Sequence, residues 1–435
     1  MMNTIKAKIR GYGGVRKLHT IISQETIKPS SPTPRHLKTY NFSLLDHFAP
    51  NVHMPKVFFY KSYNDGNTTN LKQSLSKCLT QYYPFAGRFP SPSASYVDCN
   101  DEGIEFSEVL IDSKIDDFIF NKNQDETMDQ LIPNGSGCIG CTTSPNNLLE
   151  VQLNHFTCGG VALAVSISHK IADGFTTASL INHWASVARC QSPINPKFIL
   201  SPTSDNIIKI PEVMNKGTDK KNYIARRFIF PNSKLNELKK KVNSMGPTPM
   251  NPTRVELLTS LIFKCSMGAT IAKSGCYKPS NLLHCVNMRN KVINICPNTS
   301  AGNIFTLMNA KIASTSEIML DEVIYELRKG KMELDGLQSL QEVEKHYLST
   351  LSMLEGDESR SFVSSSLCRF PFYNVDFGWG KPIKVITRYP DVDDNGVILL
   401  DTPSGDGIEA LVHLEKEEMS IFKMDEELLA YVEDE

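Results

Sequence analysis

The sequence of 435 residues predicts an α/β protein of two domains, each a mixed sheet flanked by helices. Three observations carry this. The chain is longer than the roughly 250–300 residues at which one hydrophobic core stops growing. Strand-like and helix-like patterns alternate through both halves. Between the halves, residues 191–221 are rich in Pro, Ser, Asn and Lys and lack sustained periodicity, so they read as a crossover. The expected division is a first domain over 1–190, a linker over 191–221 and a second domain over 222–435.

The elements follow in order. Ser30–His47 is a proline-punctuated lead into a short apolar segment. Val57–Ser62, "VFFYKS", has the aromatic and β-branched content of a strand. Asn70–Tyr83 places Leu71, Leu75, Cys78 and Leu79 on one helical face, and Pro84 ends it. "YVDCNDEGIEFSEV" reads as two strands around a turn at Asn100–Gly103. Leu149–Ser168 reads as two antiparallel strands turning at Thr157–Gly160. The second of them is almost wholly apolar or small, as suits a strand buried mid-sheet. After Gly174 the spacing of Phe175, Ala178, Leu180, Ile181, Trp184, Ala185 and Ala188 is helical.

The second half opens with the strand "RRFIF" and a helix stopped by Gly246. "TRVELLTSLIFKCS" begins with Thr253 and Glu256 in capping-box spacing. "LLHCVNMRN" is a strand ending in Arg289, and residues 316–355 are helical. The end is β-rich: "PIKVITRYP", a hairpin around Ser404–Gly407, then one last helix.

Composition excludes several classes. Hydrophobic residues are 40% and charged residues 22%, enough to bury two cores with a crevice between them. The net charge is −2 and no basic stripe stands out, so nucleic acid is not an expected partner. No continuous apolar run approaches the roughly 18–20 residues of a membrane helix, so no membrane is expected. The start, "MMNTIKAKIRGYGGVRKLHTIISQE", has five basic residues and no acid before Glu25; it lacks the apolar core of a secretory signal and reads as a short basic extension, with a transit peptide as the alternative. The 11 cysteines are scattered. Only Cys138 and Cys141 have C-x-x-C spacing, and no second pair completes a zinc site, so free thiols in a reducing cytoplasm are expected, with no metal.

"SHKIADG", Ser168–Gly174, is the stretch that could carry chemistry. His169 stands at the end of the buried strand and before a helix, at a position where open sheets bind ligands. A histidine there can move a proton near neutral pH, its reference pKa being about 6.5. Asp173 has two readings: it orients the imidazole, as a triad aspartate does, or it caps the following helix. The spacing does not choose. There is no G-x-S-x-G elbow, P-loop or H-E-x-x-H. "DFG" at Asp376–Gly378 lacks the other parts of a kinase.

Two stretches together resemble a known family. "SHKIADG" is similar to the H-x-x-x-D-G motif of the plant BAHD coenzyme-A-dependent acyltransferases, and "DFGWGKP" (Asp376–Pro382) to their D-F-G-W-G motif. "IKPSSPTP", "YPFAGR", "VDCNDEGIEF", "VNMRNK" and "CRFPFYNVDFGWGKP" extend the likeness from about residue 20 to the end. Within the family the sequence looks most like the alkaloid-acetylating clade; "SAGNIF" (Ser300–Phe305) stands where flavonoid malonyltransferases carry Y-F-G-N-C.

The resemblance implies two chloramphenicol-acetyltransferase-like domains with a channel between them, admitting acyl-CoA and acceptor from opposite faces. It implies O-acyl transfer, most readily of acetyl from acetyl-CoA to a hydroxyl of an alkaloid or terpenoid, by a cytoplasmic monomer with no tightly bound cofactor. His169 would be the general base and Ser365 the oxyanion donor. Asp173 would point away from the chemistry and pair with Arg289. Asp376, Gly378, Trp379 and Gly380 would form a packed structural turn. Arg254 and Ser260 fall in the coenzyme region. Many relatives carry Trp two residues after the oxyanion hydroxyl; here it is Leu367, which implies a reshaped acceptor pocket. The competing readings are an N-acyltransferase or condensation-type amide former, a thioesterase, and a degenerate homologue that only binds ligand.

Overall fold

The computed structural model describes residues 19–64, 66–91, 93–119, 128–133, 147–199, 223–277, 279–292, 296–312, 317–354, 360–390 and 394–433. The basic start before His19, the Cys138/Cys141 pair and the linker beyond residue 199 lie outside them. The nine described cysteines are free thiols.

Two mixed sheets of six described strands organise the chain. The first runs, edge to edge, His19–Ile27, Ile104–Ile111, Leu149–Phe156, Val161–Ser168, His53–Tyr60 and Lys384–Thr387. Only Ile104–Ile111 and Leu149–Phe156 pair in parallel. The second runs Phe305–Ile312, Ser280–Asn287, Arg360–Ser366, Asn395–Asp401, Gly407–Glu415 and Tyr223–Pro231, with Arg360–Ser366 parallel to both neighbours.

The apolar strand Val161–Ser168 is buried along its whole length in mid-sheet. Its continuous hydrophobicity has that cause: both faces are covered. One face meets the helices Asn67–Gln81 and Gly174–Ala188, whose contact includes a bond from Trp184 Nε1 to the Leu71 carbonyl at 3.1 Å. The other meets Phe118, Met128 and Leu131. The strands Tyr96–Asp98 and Ile104–Ile111, although joined by one turn, do not pair with each other. Tyr96–Asp98 pairs with Thr39–Asn41, and Ile104–Ile111 joins the large sheet.

Helix Arg254–Ser274 crosses the second core. Thr253 and Glu256 form the expected capping box, and Gly275 closes the helix at φ 71°. By length and mean hydropathy it resembles a bilayer-spanning helix, although charged residues interrupt its apolar run. Its apolar residues are those of a core helix: Leu257, Leu258, Leu261, Phe263 and Met267 all lie in the second core, while Arg254, Lys264 and Lys273 form ion pairs. The closing segment, expected as one helix, is two, Lys416–Phe422 and Glu426–Leu429. Asp425 breaks it by capping the second through the Leu428 N–H.

The halves exchange segments. Lys384–Thr387 lies well inside the second half of the sequence, yet it adds to the first sheet beside His53–Tyr60. Leu45 and Phe48, from the first half, pack in the second core. Glu409 in the second sheet binds both Arg227 and Lys384, and Arg227 also donates to the Thr387 carbonyl at 2.5 Å. These crossings tie the two sheets together.

Candidate active site

His169 follows directly on Val161–Ser168, and its N–H still pairs with the neighbouring strand through the Val52 carbonyl at 2.9 Å. The second half closes over it. The Asn303 amide donates to the His169 carbonyl at 2.8 Å, and the Phe305 ring lies 6.1 Å from the imidazole, centre to centre. Asn303 is held in turn by buried Asp46, which accepts from its side-chain amide at 2.8 Å. The imidazole Nδ1 is enclosed without a hydrogen-bond partner. Burial pushes the ring's pKa below 6.5; its own carbonyl, Asp173 and Asn303 oppose this, and the Lys56 ammonium adds to it. The net effect is an imidazole that is neutral at pH 7.

Asp173 caps the helix Gly174–Ala188, its Oδ1 accepting from the Thr176 N–H at 2.8 Å. The rest of the carboxylate faces Arg289, whose Nη1 donates to Oδ2 at 2.7 Å and whose Nη2 donates to Oδ1 at 3.2 Å. The Ile304 N–H adds a bond at 3.0 Å. Arg289 also donates to the carbonyls of Ser300 and Gly302 and to Thr176 Oγ1, and it covers the Phe175 ring. Burial raises the Asp173 pKa, but Arg289 and the backbone donors outweigh it and hold the carboxyl below its ordinary value. The two readings left open by the sequence thus resolve. Asp173 is a cap and an ion-pair partner across the halves, with no hydrogen bond to His169.

Ser365 lies on the central strand Arg360–Ser366. Its neighbour Ser364 turns into the core, meeting His284 Nδ1 at 3.1 Å and Thr259 Oγ1 at 3.3 Å. Alternation turns Ser365 the other way, together with its register partner Ile398, which packs against the first sheet's core. The Ser365 hydroxyl is half-buried and makes no hydrogen bond to the described residues. Leu367, just beyond, is buried against Gly174, where an added Cβ would stand 2.7 Å from Leu367 Cδ2. The glycine of the first motif therefore makes room for the residue that replaces the usual tryptophan.

Asp376 closes a tight turn, its Oδ1 accepting the N–H groups of Gly378 at 2.7 Å and Gly380 at 3.0 Å. Both glycines have positive φ, 108° and 99°, which side chains rarely tolerate. The turn presents Trp379 to Phe377, Tyr60 and Tyr63, and Phe377 to Trp184. It fastens the segment leading to Lys384–Thr387 onto the first sheet.

The two coenzyme candidates differ. Arg254 is part-exposed and bound to Asn232 Oδ1 at 2.8 Å, with Asp401 at 3.7 Å. Ser260 is fully buried in the second core and its hydroxyl has no partner. Six positions along the helix turn its side chain about 120° from that of Arg254, so the two candidates do not share a face. Among the described residues no cluster of His, Cys, Asp and Glu is arranged to hold a metal.

The family model described as "Transferase family" matches residues 18–429. The chain belongs to the BAHD acyltransferase family. It is 38% identical to akuammiline synthase 1 of Alstonia scholaris, over 94% of this chain and 97% of that one. It is 37% identical to a 17,18-epoxy-17-hydroxycur-19-ene N-malonyltransferase of Strychnos nux-vomica, over 94% and 90%. It is 35% identical to deacetylvindoline O-acetyltransferase of Catharanthus roseus, over 94% and 97%. The crystal structure of vinorine synthase superposes with a TM-score of 0.81 at 32% identity, covering 95% of this chain and 98% of that one. This BAHD acyltransferase therefore has the family's two-domain α/β fold. The family takes its acyl group from acyl-CoA.

Asn303, Phe305 and Thr176 were not legible as site residues. The signal for the first two was present in "SAGNIF", the segment that departs from a relative's motif.

Proposed function

We propose that this chain is an acyl-CoA-dependent O-acyltransferase that acts on a hydroxyl of a plant specialised metabolite, an alkaloid or terpenoid, with His169 as general base. The observation that supports this best is the state of His169: a half-buried imidazole with an enclosed Nδ1 and a lowered pKa at the junction of the halves, with Asp173 committed elsewhere. His169 takes the proton of the acceptor hydroxyl. The oxygen attacks the thioester carbonyl, and the tetrahedral oxyanion accepts a hydrogen bond from Ser365. Collapse breaks the C–S bond, and protonated His169 returns its proton to the departing thiolate. The products are an ester and free coenzyme A, with no covalent enzyme intermediate. Arg254 is the candidate for a coenzyme phosphate, in exchange for its contact with Asp401. Leu367 gives the acceptor pocket a smaller wall than tryptophan would.

Acetyl is the first donor to test, because one of the relatives above is named as an O-acetyltransferase. The N-malonyltransferase among the relatives keeps amide formation as the second reading. The test is thiol release from acetyl-CoA by the purified protein with a panel of alkaloid and terpenoid alcohols and matched amines, with products identified by mass. Alcohol-dependent release with ester product supports the reading. Amine-only release replaces it with N-acylation, release without acceptor with a thioesterase, and binding without release with a degenerate homologue. The same reading describes a cytoplasmic monomer, tested by sedimentation and by imaging of a tagged chain.

A further inference from the structure

Lys56 is a lysine in the interior of an apolar strand, "HMPKVFFY". It is 4% exposed. It pairs with buried Val165 on one side and buried Thr387 on the other. Among the described residues no hydrogen bond or ion pair meets its amine. Desolvation lowers its pKa to about 7, and among the described residues no carboxylate pairs with it. The buried carboxylates around the His169 turn are engaged: Asp173 by Arg289, and Asp46 by Ser43, Tyr40 and Asn303.

Its position is defined by the register. Lys56, Phe58 and Tyr60 alternate onto one face of the first sheet; Phe58 and Tyr60 share a core there with Val165, Ile167, Leu367 and Leu400. Val165 and Ile167 lead, by the same alternation, to His169 one step beyond the strand. Lys56 and His169 therefore emerge from neighbouring strands onto the same face, where the second sheet contributes Leu367 and Leu400. Lys56 is close enough for its charge to act on the imidazole.

We propose that Lys56 lines the reaction chamber and binds a carboxylate of the substrate, close to the reacting centre. An unpaired ammonium in this position is costly, so the amine readily gives up its proton; a carboxylate brought by the substrate would hold it protonated and supply the counter-charge that the described residues do not. The coenzyme's own phosphates are a poor match, because they lie at the far end of the pantetheine arm from the thioester. The carboxylate can come from a dicarboxylic acyl group such as malonyl, or from an acidic acceptor. The inference rests on the reading of His169 as the reacting centre.

The experiment measures binding by calorimetry in two matched pairs: acetyl-CoA against malonyl-CoA, and a carboxylate-bearing alkaloid or terpenoid alcohol against its methyl ester. Wild type is compared with Lys56→Met and Lys56→Gln, each checked for folding by its melting temperature. In one pair the acidic member should bind about 30-fold tighter to wild type, the scale of a desolvated charge pair, and both variants should erase the difference. Preference for malonyl-CoA places the carboxylate on the donor; preference for the acidic alcohol places it on the acceptor. Equal binding in both pairs by wild type overturns the proposal without recourse to any variant. So does a preference that survives in the folded variants. Absence of acyl transfer with every donor, alongside a charge preference that depends on Lys56, would instead overturn the transferase reading alone.

Discussion

Arg289 and Asp173 lie 116 residues apart and meet with the two terminal guanidinium nitrogens, one on each carboxylate oxygen, at 2.7 and 3.2 Å. The pair joins the start of the helix after His169 to the end of a strand in the other sheet. It sets the height and angle of the turn that carries the histidine, without touching the imidazole.

Asp173→Ala should therefore act on stability first. It leaves a buried guanidinium unpaired and uncaps a helix, costs of about 3–5 and about 1 kcal/mol respectively. Denaturant unfolding should show the loss, and kcat should fall only to the extent that the turn is displaced. A variant of unchanged stability and greatly reduced kcat would make Asp173 part of the chemistry.

His169→Ala should keep its fold and lose transfer by about 10²–10⁴-fold in kcat, the range for a general base. Thiol release with an alcohol that wild type acylates is the assay. An unchanged kcat would remove His169 from the mechanism.

The pH profile has a defined sign. His169 acts when neutral, and burial sets its pKa below 6.5. As pH falls, the neutral form persists until the medium reaches that lowered value. For a donor and acceptor without a carboxylate, the kcat/KM profile should be level near pH 7 and decline only below 6.5. An acid limb centred above 6.5 would contradict the desolvated, neutral imidazole.

Ser365→Ala removes a hydroxyl that holds up no described neighbour. Its melting temperature should stay near that of wild type. If the hydroxyl serves the oxyanion, kcat should drop about 10²–10³-fold with little change in KM. A drop below tenfold would make Ser365 a bystander.

Gly378→Ala forces a side chain to φ 108°, at a cost on the order of 1–3 kcal/mol. The turn it strains packs Trp379 on the first sheet. Thermal unfolding should move down, while the acyl transfer of the protein that remains folded changes little. A large kcat loss at unchanged stability would place this turn in the site.

The parts legible in the sequence were local ones. The capping box at Thr253 and Glu256, the buried strand before His169 and the helix after Gly174 each follow from spacings within a few residues. So does the position of His169 at a strand end. The final helix was misread for an equally local reason: Asp425 caps a new start inside a pattern that otherwise looks continuous. The pairing of Asp173 with Arg289 came from family resemblance; nothing in the spacing of either segment contains it.

What the sequence by itself determined was which segments extend or coil and which polar residues interrupt them, because backbone propensity and apolar period act over short distances. Tertiary structure alone decided which strand meets which. Lys384–Thr387 joins a sheet whose other strands end more than 200 residues earlier in the chain, since a strand's hydrogen bonds are satisfied by any edge of suitable geometry. The same long-range packing brings Asn303 and Phe305 over His169 and leaves Lys56 without a partner among the described residues. Each of these depends on which groups are absent from a neighbourhood as much as on which are present, and a neighbourhood exists only once the chain has closed.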